Sequence, residues 1–363
     1  MTDLIIVGGF LGAGKTTLLG QTAKVMAQKN KKTGLITNDQ ASELVDTIFL
    51  EQTDSAVSEV SGSCFCCNYN GFADALHSVK AQGAQVIIAE PVGSCTDLSA
   101  TIMQPLKEQL SGEFKIAPLS VLADPKRLED ILDGKDSGLH KSAAYIVKKQ
   151  MEEADYIVIN KIDLISEEKT EELKKRTKEA FPKAKVMAVS ALSGQGIEEW
   201  LDALSGDKNV GTHITDVDYD TYAEGEAVLG WLNTTITLKG STDSWKGWMT
   251  RMMTSLKDRL DKENMAVGHV KAMLDDKKVY LMANLTGTGQ EVVIRGDEPT
   301  GEEIRFTLNA RAETTPDALQ QTVTEELEIN TKNAGITYEV AVLNCLQPGR
   351  PNPTWRYDKT VEM

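Results

Sequence analysis

The chain has 363 residues and a formal net charge of −15. That length suits two domains, and the acidity disfavours nucleic acid and anionic membranes as partners, because both repel a negative surface. No run reaches the roughly 20 apolar residues of a membrane-spanning helix. Met1-Thr2-Asp3 leads directly into an apolar strand without a basic, cleavable leader, so a cytoplasmic location is expected.

In chain order, the short apolar run Leu4–Val7 predicts a buried parallel strand, followed by a glycine-rich turn and a helix from Lys15 to Asn30. Leu35–Thr37 predicts a second strand. Ser42–Leu50 is mixed and reads as helix or ordered loop. A strand over Ala56–Val60 leads into a cysteine cluster, then a helix over Phe72–Ala81, a buried strand over Val86–Ala89 and a helix over Leu98–Leu110. Strands at Ile116–Leu122, Tyr156–Ile159 and Lys185–Val189 alternate with helices at Ser142–Glu153, Glu167–Ala180 and Ile197–Leu204. Such alternation predicts an α/β fold with a mostly parallel sheet covered by helices on both faces. Sites in such sheets lie beyond the C-terminal strand ends.

The pattern breaks after residue 205. The division expected is 1–205 for the α/β domain, 206–226 for a linker and 227–363 for a smaller α+β domain. In the last part, strands are expected at Val228–Leu238, Val267–Leu274, Lys278–Leu285, Glu291–Ile294, Ile304–Ala310 and Thr337–Leu343, with helices at Ser244–Glu263 and Pro316–Glu326.

Gly9-Phe10-Leu11-Gly12-Ala13-Gly14-Lys15-Thr16 fits G-x-x-x-x-G-K-[ST] between a strand and a helix, the context of a phosphate-binding loop. Inward-turned amides and the helix N-terminus attract phosphate oxygens. Lys15 is placed for the β- and γ-phosphates, and Thr16 for magnesium, with Gly12, Ala13, Gly14 and Thr17 completing the cradle. Glu90, at the end of a buried strand, is the expected magnesium carboxylate, direct or through water, and Gly93 the γ-phosphate amide. Asn38-Asp39 is read two ways: Asp39 as a second carboxylate near the magnesium or the attacking water, or a plain turn.

Asn160-Lys161-Ile162-Asp163 reads N-K-x-D after a strand. A carboxylate there accepts from N1 and N2 of guanine, a pattern adenine lacks, so Asp163 selects GTP. The Lys161 stem covers the base, Asn160 braces the loop, and Ser190-Ala191 offers a backbone amide.

Of five cysteines, three stand within four residues, Cys64-Phe65-Cys66-Cys67. Such spacing suits a soft transition metal better than a disulfide, with redox or incidental thiols as the alternative. Cys95 shares the same expected sheet edge and is either a fourth thiolate or a small residue at a helix start. His77 is a weaker ligand candidate, and Cys345 a core residue of the second domain.

The P-loop with Thr17, the C-x-C-C cluster, Glu90-x-x-Gly93 and Asn160-Lys161-x-Asp163, in this order, resemble the CobW-type GTPases, relatives of UreG and HypB, over about residues 1–205. The chain departs from the family pattern at Ser63, at Asn38-Asp39-Gln40-Ala41 and at Val92, and it has only four histidines. The resemblance implies GTP hydrolysis to GDP coupled to delivery of a transition metal, most often Zn2+ or Co2+, with Mg2+ at the phosphates. It implies a client metalloprotein or corrinoid protein as partner, with room for a homodimer. No side chain is an obvious strong general base, so slow intrinsic turnover is expected. Two other readings stand beside it: a GTPase gating a corrinoid-dependent enzyme, and a nucleotide-binding redox or metal sensor without significant hydrolysis.

Overall fold

The computed structural model describes residues 1–39, 44–51, 53, 55–136 and 138–362. The opening of the stretch read as helix or ordered loop, Ser42 and Glu43, lies outside the described residues; the helix begins at Val45.

The first part runs β1 (Thr2–Gly9), α1 (Lys15–Gln28), β2 (Thr33–Asn38), α2 (Val45–Leu50), β3 (Ala56–Val60), α3 (Tyr69–Ala81) and β4 (Val86–Ala89). A π-helical turn at Ser99–Met103 enters α4 (Gln104–Leu110), followed by β5 (Phe114–Ile116), β6 (Ser120–Ala123), α5 (Pro125–Leu132) and α6 (Lys141–Glu153). Then come β7 (Tyr156–Ile159), α7 (Glu167–Ala180), β8 (Lys185–Ala188) and α8 (Ile197–Gly206). Among the described residues the strands form one sheet in the order β3-β2-β4-β1-β6-β7-β8, with β5 also on β1, and every pairing is parallel.

Alternate side chains explain the two layers. Leu4, Ile6 and Ile87 face a core with Phe72 and Leu76 of α3. Ile5, Val7 and Ile88 face the other way, toward Leu18, Leu19 and Trp200. Burial on both faces is why these strands read as unbroken apolar runs.

The single strand expected over Ile116–Leu122 is two. Pro118 has no N–H to give a ladder, and the chain breaks there. β5 pairs with the start of β1 and β6 with its end. Helix α5 is an addition to the expected elements. Asp124 caps it, accepting from Lys126 N and Arg127 N, with Pro125 at the first turn; this Asp-Pro start is a readable sequence signal.

Within the stretch read as a linker, α9 (Tyr219–Ala227) packs on α6. The rest comprises β9 (Leu229–Lys239), α10 (Trp245–Lys262), β10 (Val267–Asp275), β11 (Tyr280–Leu285), β12 (Val293–Gly296), β13 (Glu303–Glu313), α11 (Pro316–Ala334) and β14 (Thr337–Leu346). These strands form an antiparallel sheet, β12-β11-β10-β13-β9-β14. One face is covered by α10 and α11: Val270, Ala272, Leu308 and Ala310 pack with Met252, Leu256, Leu319 and Val323.

The opposite face alternates out of that core. It carries His269, Lys271, Asn309 and Arg311, polar residues that would ordinarily meet water on an antiparallel sheet. Here they turn toward the parallel-sheet unit. Val45 N donates to Asn309 Oδ1 at 2.8 Å, and Met273 packs on Val45 and Ile48 of α2.

Candidate functional site

The C-terminal ends of β1, β2, β4 and β7 open into a cleft of about 430 Å³ roofed by β10, β11 and the loop after β11. At its phosphate end lies the turn Gly9–Lys15. Gly14 has φ +95° and lies so close to Asn160 that an added Cβ would fall 2.4 Å from Nδ2. Only glycine satisfies both the left-handed backbone and the contact.

Asn160 Nδ2 donates to Ala13 O at 2.8 Å, and its Oδ1 accepts from Ala191 N at 2.9 Å. One side chain thus joins the P-loop to the two loops expected to hold a base. The Ala191 amide, expected to face a base, is directed to Asn160 instead. Asp163 accepts from Ser190 Oγ at 2.6 Å. Lys161 has φ +61°, and its ammonium reaches Asp124 at 2.7 Å. Burial opposes ionisation of Asp124, but the Lys161 charge prevails and holds its carboxyl below the usual range.

At the other end, Thr16 Oγ1 donates to Glu90, 3.0 Å from Oε2, and Lys15 Nζ is 3.6 Å from Glu90 Oε1. Burial, aided by Lys271, lowers the Lys15 pKa against the pull of Glu90; burial raises that of Glu90 against Lys15. Gly93 packs against Leu11 and Lys15, where an added Cβ would sit 3.1 Å from Nζ. Thr17 and Gly12 also line the cleft. A hydroxyl beside a carboxylate is a hard oxygen pair suited to magnesium, so Thr16 and Glu90 fit the ion expected there.

Asp39, expected near the magnesium or the water, lines the phosphate end of the cleft. Its carboxylate pairs with Arg311 of β13 at 2.8 Å, both side chains largely buried. The residue beside it, Asn38, organises the cysteine loop: its Nδ2 donates to Val60 O and Ser63 O, and its Oδ1 accepts from Phe65 N, all at 2.8 Å.

The thiols of Cys64, Cys66 and Cys67 lie within 4.8 Å of one another. Cys64 Sγ is 3.0 Å from Cys66 Sγ, and Cys66 Sγ is 3.9 Å from Cys67 Sγ. Around a tetrahedral zinc with bonds of about 2.3 Å, sulfurs stand roughly 3.8 Å apart, so the cluster needs only a small adjustment. Hydrogen bonds from Cys66, Cys67 and Cys95 stabilise the Cys64 thiolate and place its pKa well below the usual range. Interaction with Cys64 raises the others, Cys67 to about 11. Cys95 is buried beside the cluster, and Cys64 pushes its thiol pKa well up, although it is outside the tight triplet.

Around the cluster are groups that the sequence reading missed. Glu226 of α9 is buried, accepts from Ser94 Oγ at 2.5 Å and is pushed up to about 8 by burial. The segment after β14 crosses the loop: Asn352 N donates to Cys67 Sγ at 3.3 Å and Thr354 N to Cys66 O at 2.8 Å. His77 instead faces Glu113 at 3.5 Å. Cys345 is half-buried at the edge of the second core, with its Sγ 3.1 Å from Pro316 O.

Parallel sheet, phosphate loop and N-K-x-D loop define a P-loop nucleotide-binding protein. A family model for the CobW/HypB/UreG nucleotide-binding domain matches residues 3–188, and the chain belongs to that family. It is 28% identical over 175 residues to the zinc-regulated GTPase metalloprotein activator 1 of Schizosaccharomyces pombe, 45% of this chain and 39% of that protein. The match thus spans well under half of that relative. Among solved structures, HypB from Helicobacter pylori in complex with nickel is 18% identical, with a TM-score of 0.43, covering 60% of this chain and 92% of that one. Zn(II)-bound YjiA GTPase from E. coli is 18% identical, with a TM-score of 0.39, covering 93% and 99%. Among the described residues, no helix is long and apolar enough to cross a membrane.

Proposed function

We propose that this protein hydrolyses GTP to GDP and phosphate and couples that cycle to binding and release of a transition metal, Zn2+ or Co2+, at Cys64, Cys66 and Cys67, for delivery to a metalloprotein or corrinoid-protein client. The observation that carries the reading is Asn38. It sits at the end of β2, next to the phosphate end of the cleft, and it holds the cysteine loop at three points. A shift of the β2 end on nucleotide binding is therefore transmitted to the thiols.

In this reading Asp163 selects guanine, Asn160 fixes the P-loop against the base loop, and Lys15 binds the β- and γ-phosphates. Thr16 and Glu90 would hold magnesium, which would supply charge neutralisation. Water attacks the γ-phosphorus, the bond to the β–γ bridging oxygen breaks, and GDP leaves with that electron pair. Glu90 sits against Lys15 and Thr16, and Asp39 is engaged by Arg311. Neither is presented as a strong base for water, which supports slow intrinsic turnover. Cys95 completes the metal site as a fourth thiolate. The working division is a GTPase unit over 1–205, a connecting stretch over 206–226 and an α+β unit over 227–363.

Phosphate release from GTP and ATP tests the enzymatic part. Slow release from GTP, little from ATP and none in Lys15→Ala is expected. Equal rates with both nucleotides, or none with either under any metal, would reject it.

A further inference from the structure

Lys271 lies on β10 and enters the phosphate end of the cleft from the antiparallel sheet. Its Nζ is 2.5 Å from both carboxylate oxygens of Asp46 and 3.5 Å from Thr16 Oγ1. Lys15 and Glu90 complete the group around the Thr16 hydroxyl. Two ammonium groups and two carboxylates thus share a pocket in which Lys271 and Asp46 are each less than one-fifth exposed.

The strand is held close. Gly268 lies against Leu11, with an added Cβ 3.3 Å from Leu11 Cδ1, and Thr286 Cβ is 3.2 Å from where a Cβ on Gly12 would stand. The sheet therefore covers the phosphate loop itself.

A buried ion pair is a weak source of stability, because desolvation offsets most of its attraction. Lys271 shares its face of β10 with Met273, which packs apolar contacts on α2 and already serves docking. An ammonium in reach of the P-loop threonine is the group expected where a triphosphate brings several negative charges.

We propose that Lys271 is a second phosphate-binding lysine, supplied in cis by the antiparallel sheet, which contacts the terminal phosphate of a bound nucleoside triphosphate. In the structure Asp46 holds its ammonium. GTP draws Lys271 from Asp46, so loading the nucleotide rearranges the contact between β10 and α2. The discrimination of GTP from GDP rests partly on a residue outside the family-matched segment. The proposal depends on the cleft being a guanine-nucleotide site.

The test is equilibrium binding of GDP and of a non-hydrolysable GTP analogue to the full chain, beside single-turnover hydrolysis, for wild type, Lys271→Met, Lys271→Ala and Lys271→Arg. Thermal melts establish that each variant is folded. The methionine and alanine variants are expected to lose about tenfold or more in affinity for the GTP analogue and about twofold or less for GDP, with single-turnover hydrolysis falling about 100-fold. Arginine restores part of the preference. An unchanged GTP-to-GDP affinity ratio in folded Lys271→Met, beside normal binding by wild type, would overturn the proposal alone. Wild-type protein that binds neither nucleotide would overturn the reading beneath it as well.

Discussion

Phe65 N–H donates to Asn38 Oδ1 across 2.8 Å, joining the cysteine loop to the end of β2. The same Asn38 donates to Val60 O and Ser63 O. Its neighbour Asp39 pairs with Arg311 of the second sheet. One strand end therefore touches the cysteine loop, the phosphate end of the cleft and the antiparallel sheet.

Asn38→Ala leaves buried partners of three hydrogen bonds unmatched. With each such loss costing about 1 kcal/mol or more, the variant should unfold about 3 kcal/mol more easily in urea. Its zinc affinity should also become insensitive to whether GDP or a GTP analogue is bound. Full stability together with retained nucleotide sensitivity would show that Asn38 is not the connection.

Asp163→Ala should reduce GTP affinity about 100-fold while leaving ATP affinity near its low starting value, since a site built around a hydrogen bond discriminates strongly. Competition binding with both nucleotides reads this directly. A variant that keeps its preference for GTP would move base recognition elsewhere in the cleft.

Cys95→Ala should weaken zinc binding about tenfold and reduce the intensity of the cobalt–thiolate absorption in a Co(II)-loaded sample. The basis is its burial beside Cys64 and Cys66 and the mutual perturbation of their thiols. Unchanged affinity and an unchanged spectrum would leave Cys95 as a packing residue.

Glu153 carries a pH prediction. Its carboxyl is fully buried, accepts from Thr96 Oγ1 and Ser99 N, and is pushed up to about 8 by burial and the nearby Asp97. The folded state then binds a proton that the unfolded state releases at the ordinary carboxylate value. Stability from this group is whole below about 4.5 and declines as pH rises to about 8. Glu153→Gln removes that dependence. Urea unfolding at pH 6 and pH 8 should show the variant gaining on wild type, by on the order of a few kcal/mol in total across the titration. Parallel pH profiles would contradict this.

The parallel sheet was legible because its strands are buried on both faces and its motifs sit at strand ends. Leu4–Val7, Val86–Ala89 and Tyr156–Ile159 leave little ambiguity of period. Pro118 divides one expected strand, and the Asp124-Pro125 pair marks the start of α5 in the sequence. The phosphate loop, N-K-x-D and the cysteines are local motifs and were found by spacing. His269, Lys271, Asn309 and Arg311 were not, because alternating polar residues on an antiparallel strand look the same whether they meet water or another domain. Long-range docking gave Asp39 its partner, and local pattern carries no record of it. The crossing of Asn352 and Thr354 over the cysteines has the same origin.

The central claim is that the nucleotide sets the grip on the metal. The direct measurement is zinc affinity of the full chain, by competition with a chromophoric chelator, in the GDP-bound form and with a non-hydrolysable GTP analogue. The account predicts binding through Cys64, Cys66 and Cys67 whose affinity differs between the two forms by about tenfold or more, a coupling of roughly 1.4 kcal/mol. Equal affinity in both forms, with the cysteines intact and both nucleotides bound, would contradict it.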